Sequence, residues 1–73
     1  MMRDIEHAAV DVAADMVMAF HVRKEKNWSP DHIFDNNMEY WIYDLDELYL
    51  MAQLLFPIML VRFVAGLPLL ENE

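Results

Sequence analysis

From Leu48 to Leu70 the chain runs through 23 residues in which only Gln53 and Arg62 interrupt the apolar and aromatic side chains. No other feature constrains the fold as strongly. Such a stretch must be kept from water by a bilayer, by the protein's own core, or by the surface of another protein. A bilayer span needs about 20 apolar residues, so length permits one. Arg62 and Pro57 lie inside the run, however, and an arginine near the bilayer centre costs about 2.5–3.5 kcal/mol. The flanks, Asp46-Glu47 and Glu71, are acidic on both sides and give no basic bias to orient a span. Core plus interface is therefore the expected role, with a membrane association through residues 48–70 as an alternative.

Chain size sharpens this expectation. A chain of 73 residues makes one helical domain, residues 1–73, and buries only about 60% of the surface its unfolded form exposes. Hydrophobic residues make up 58% of it, against roughly 45–50% in ordinary globular domains. The surplus has no interior to enter, so apolar surface should remain for a partner protein or a second copy. The net charge of −8 opposes direct nucleic-acid binding through phosphates and is unfavourable at anionic lipid surfaces. Cysteine is absent, which excludes disulfides and thiolate metal sites. The opening Met-Met-Arg-Asp-Ile-Glu places acids where a secretory signal needs a basic region and then an apolar one. These features together predict a cytoplasmic protein.

Periodicity predicts an all-α fold, a small bundle of three to four helices completed by oligomerisation or a partner. Ile5, Ala8, Ala9, Val12, Ala13, Met16, Ala19 and Phe20 recur at three- and four-residue steps and predict a helix over about 4–23. Asp4 is the expected N-cap, its carboxylate accepting from the free amides of the first turn. His7 is spaced to pair with Asp11, and Asn27 is placed to take a left-handed conformation past the helix end. Ser29-Pro30 reads as N-cap and first residue of a short helix over about 30–34, with Asp31 in its first turn. Asn36 with Glu39 three residues on has capping-box spacing and opens a helix over about 37–56, with Trp41, Leu45, Leu48, Ala52 and Leu55 on one stripe. Asp44 offers a second start that would split this segment. Pro57 lacks the amide that a helix interior needs, so a separate short helix over about 58–65 is expected, closed by Gly66 and Pro68.

Catalytic and metal chemistry find little support. His7, His21 and His32 are separated by fourteen and eleven residues, not the three or four of helical metal ligands. The single serine, Ser29, is accounted for as a cap, and one glycine cannot build a phosphate loop or nucleophile elbow. Neither an enzyme nor a cofactor is expected. Six acids and no Lys or Arg fall between Asn27 and Val61: Asp31, Asp35, Glu39, Asp44, Asp46 and Glu47. They suggest an acidic face, which keeps an apolar protein soluble or, as an alternative, mimics nucleic-acid phosphates. The expected partner or oligomer interface is Leu54, Phe56, Met59, Leu60, Arg62 and Phe63. Arg62 should lay its stem on apolar surface and reach an acid of a neighbouring helix.

Between Met16 and Met51, an apolar helix ending in Phe20-His21 is followed by the turn Trp28-Ser29-Pro30-Asp31, then Ile33 and the "Leu-x-Glu-Leu" run Leu45, Glu47, Leu48. In this order of elements the stretch resembles the small tail-assembly chaperones of long-tailed bacteriophages. The six-residue insert "VRKEKN" and the very apolar C-terminus depart from that pattern. The resemblance implies a non-catalytic protein that coats apolar helices of a tape-measure client. The rival expectation is a small viral inhibitor or anti-defence protein that occludes a surface on a host protein.

Overall fold

A computed structural model describes residues 4–24, 33–34 and 38–68. Helix α1 runs over Ile5–Arg23 and helix α2 over Leu45–Val64, with one 3-10 turn, Met38–Tyr40, between them. Among the described residues there is no strand, so the all-α expectation holds. The expected bundle of three to four helices does not. The protein is built on two long helices packed against each other.

Two local decisions account for the difference. The segment expected as a helix over 37–56 forms only the 3-10 turn and a bend before Asp44, where α2 begins. Asp44 Oδ1 accepts from the amides of Asp46, at 3.1 Å, and Glu47, at 3.3 Å, satisfying two of the donors a helix start leaves free. Tyr40 is buried, its ring edge-on to Phe34 at 5.9 Å, and Trp41 Nε1 donates to the Phe34 carbonyl at 3.0 Å. These aromatic anchors hold the turn across the core and keep Tyr40 and Trp41 out of α2.

The second decision is at Pro57, which lies inside α2 and does not divide it. The separate helix over 58–65 is therefore overturned. A proline leaves the carbonyl four residues back without its bond, at a cost of about 3 kcal/mol. That carbonyl belongs to Gln53, and both Gln53 and Pro57 are exposed, so water can reach the gap. Packing on either side offsets the cost: Leu48 and Ala52 are buried before it, Met59 after it.

The ends of the helices follow expectation in part. Asp4 occupies the N-cap position with extended backbone, but its side chain makes no cap bond. It sits instead 3.5 Å from Nδ1 of His7, the neighbour one turn on. The left-handed residue after α1 is Lys24, at φ 60°, with its amide on the Phe20 carbonyl at 2.9 Å. Asn27, and the caps proposed at Ser29 and Asn36, lie outside the described residues; of the short helix over 30–34, only Ile33 and Phe34 are described, and both are helical. At the end of α2, Gly66 takes φ 75°, its amide on Phe63 O and that of Leu67 on Arg62 O. That pair of bonds is the Schellman closure, and Pro68 follows it.

The core consists of Ala8, Ala9, Val12, Ala13, Met16 and Val17 from α1, Leu48, Ala52 and Met59 from α2, and Phe34 and Tyr40 from the connection. Contacts advance in the same sense along the two helices. Glu6 and Val10 share a groove with Met51, Leu54 and Leu55, while Phe20 meets Phe56 and His21 meets Phe63 further on. The long connection gives the chain room to return before α2 starts.

Candidate functional site: the outward face of the second helix

Helix α2 is apolar on more sides than one helix can cover. At about 100° per residue, Leu48, Ala52 and Met59 point to α1, while Leu50 and Val61 point away from it. Leu54 and Ile58 lie on the adjoining flank, Leu54 also lining a groove shared with α1. Leu50, Leu54, Ile58 and Val61 are 57, 64, 60 and 69% exposed and follow one another at steps of four, four and three. Pro57 flanks the stripe, and Val64 and Leu67 extend the exposed apolar surface past its end. The result is an unbroken apolar stripe along a 20-residue helix, open to solvent.

The interface expected from sequence is only partly here. Leu54 belongs to the stripe. Met59 is 1% exposed and is core, so it can meet no partner. Phe56, Leu60 and Phe63 are half-buried and packed on the core. The Phe56 ring meets Phe20 edge-on at 6.0 Å, and that of Phe63 meets His21 at 4.9 Å. Arg62 is half-buried at the margin, and its Nε donates to the Pro68 carbonyl, bracing the C-terminal turn. The expected contact with an acid is not made among the described residues. Leu50, Ile58 and Val61 were missed because a break at Pro57 hid their common spacing; read as one helix, residues 45–64 place them on one face.

The acids do not spread along α2. Glu39, Asp44, Asp46 and Glu47 are exposed and gather before and within its first turn, where negative charge suits the helix dipole. Asp31 and Asp35 lie outside the described residues. On α1, partial burial, then Asp11 and then Glu39 push the Asp15 carboxyl above its ordinary value. One end of α2 is thus strongly acidic while its shaft is apolar. Alongside the shaft, a groove of about 350 Å³ between the helices is lined by Val10, Met51, Leu54 and Leu55, with Glu6 as its single charged member.

Among the described residues no group of three or more His, Asp or Glu side chains is placed to hold a metal ion. No protein-family model, no curated protein and no solved structure matches the chain.

Proposed function

We propose that the protein acts without catalysis, as an acidic helical binding module whose α2 stripe receives an apolar helix of another protein. The observation that carries this is the stripe itself: Leu50, Leu54, Ile58 and Val61, each more than half exposed, on one face of a continuous helix. An apolar surface of this kind marks interaction sites, and apolar residues recurring at three- and four-residue steps are the form in which helices meet helices. The acidic charge serves solubility while the stripe is empty. The resemblance to tail-assembly chaperones would make the occupant a helix of a tape-measure protein, shielded until the tail polymerises. A small inhibitor would use the same stripe to cover a working surface of a host protein.

The test is co-expression with a long apolar helical client. Wild-type protein should bring the client into the soluble fraction, and the pair Leu54→Glu and Ile58→Glu should abolish this while circular dichroism stays unchanged. An equal yield of soluble client with the double variant would refute the reading. An inhibitor would instead suppress its target's activity at one-to-one stoichiometry.

One observation favours a second reading, association with a bilayer. Helix α2 is long and apolar enough to cross one, and only 17% of its most apolar 18 residues are buried within the protein. Its 20 residues rise about 30 Å, the thickness of the hydrocarbon core. Against it stands α1, which would carry Glu6, beside Leu54 and Leu55 near the middle of α2, to membrane depth. A span would require α1 to undock. Protein that pellets with membranes and resists high salt and alkaline wash would favour lipid over a protein partner.

A further inference from the structure

The apolar centre of the outward stripe of α2 matches itself when reversed, while at its ends the exposed Glu47 comes level with Val61. Leu50 and Ile58 stand four residues to either side of Leu54, and Glu47 and Val61 stand seven to either side. We propose that, with no client bound, the stripe pairs with that of a second copy, the two α2 helices antiparallel about a twofold axis at Leu54. The proposal rests on the same face as the binding function and adds what covers that face at rest.

Charge decides the sense of the pairing. A parallel pair would bring Asp44, Asp46 and Glu47 of both copies together. In the antiparallel pair the two acidic ends lie about 24 Å apart at 1.5 Å rise per residue, beyond a Debye length of about 8 Å. Each acidic end then comes level with Arg62 of the other copy, the cation in the last turn of α2. At about 100° per residue, Asp44 and Glu47 fall on the same flank as that arginine. With Nε held by Pro68, its Nη groups remain donors for a carboxylate. Helix dipoles are also opposed in this sense. The buried side of α2, carrying Leu48, Ala52 and Met59, faces away from the contact, so α1 stays docked, with its exposed Glu6 at the margin beside Leu54. Two such stripes bury on the order of 1,000 Å² in total, the low end for a specific interface, which suits a pairing that a client can displace.

The absence of cysteine makes the register directly readable. Single variants Leu50→Cys, Leu54→Cys and Val61→Cys, each at an exposed position, would be oxidised at about 100 µM, a concentration that populates a micromolar dimer. Leu54→Cys should crosslink to itself in high yield, while Leu50→Cys and Val61→Cys should not. A mixture of Leu50→Cys with Ile58→Cys should form the heterodisulfide. Glu47→Arg should weaken the dimer several-fold in sedimentation, and adding Arg62→Glu should restore it. A monomer at that concentration, or Val61→Cys bridging as well as Leu54→Cys, would overturn the proposal. A monomer that still solubilises a client would leave the binding function standing, whereas a correctly registered dimer that captures none would remove that function alone.

Discussion

The rings of Phe20 and Phe56 meet edge to face, 6.0 Å between centroids, one residue before the proline that α2 carries in its interior. The contact fastens α2 to α1 beside the point where its hydrogen-bond ladder lacks a rung. Phe56→Ala should therefore cost about 2 kcal/mol, less than a fully buried phenylalanine because the ring is half-buried. Pro57→Ala should do the opposite. It restores an amide for the Gln53 carbonyl and should stabilise by about 1–3 kcal/mol. Urea unfolding followed by circular dichroism measures both, and a destabilised Pro57→Ala would mean that the helix is not continuous there.

Removing the cap of α2 should fray its acidic end. Asp44→Ala leaves the Asp46 and Glu47 amides without their acceptor and should cost about 0.5–2 kcal/mol, whereas Asp44→Asn keeps the geometry and most of the stability. Faster amide exchange at residues 46 and 47 in the alanine variant is the signature to look for.

Gly66 closes the same helix with φ 75° and, its two chain neighbours apart, no atom within 4 Å of where a Cβ would stand. Gly66→Ala is then a purely conformational perturbation, without a clash. It should cost about 1 kcal/mol, seen as a lowered thermal midpoint. An unchanged midpoint would mean that the closure contributes nothing to the stability of α2.

Asp15 titrates above its ordinary value of 3.8 because it is partly desolvated and faces Asp11 and Glu39. The folded protein thus holds this proton more tightly than the unfolded chain does. Stability falls as pH rises from 3.8 through the raised folded value, and the penalty persists at neutrality. Asp15→Asn should recover it, by about 0.2–0.5 kcal/mol. The gain is small because the partial desolvation and the repulsions from Asp11 and Glu39 are all screened by solvent at this largely exposed site. The gain should be present at about pH 7 and absent near pH 3, below both values. A gain independent of pH would show that charge is not its source.

Much of this was legible in the residues themselves. The face of α1 from Ile5 to Phe20 needs only its own spacing, because a helix that buries one side writes that side at every third or fourth position. Gly66 followed by Pro68 announces the end of α2 in the same local way, since left-handed backbone favours glycine whatever surrounds it. The surplus of apolar residues is likewise a property of composition, and some of it had to remain outside. Asp44, with Glu47 three residues on, carried a capping signal as clear as that of Asn36.

What the spacing could not decide is where energy from distant residues outweighs local preference. Pro57 breaks a helix in isolation, and the packing of Leu48 and Ala52 before it, Met59 after it and Phe56 on Phe20 keeps it whole. The aromatic run at residues 40–43 suits helix, strand or turn. Tyr40 against Phe34 and the Trp41 bond to the Phe34 carbonyl choose the turn. The sorting of the C-terminal run depends on the same packing: Met59 and Phe63 read like Leu54 and Ile58 in sequence, all apolar on one helix. The position of α1 and of the connection decides that the first two lie against the core and the last two stay exposed, because burial is a relation between elements and not a property of either one.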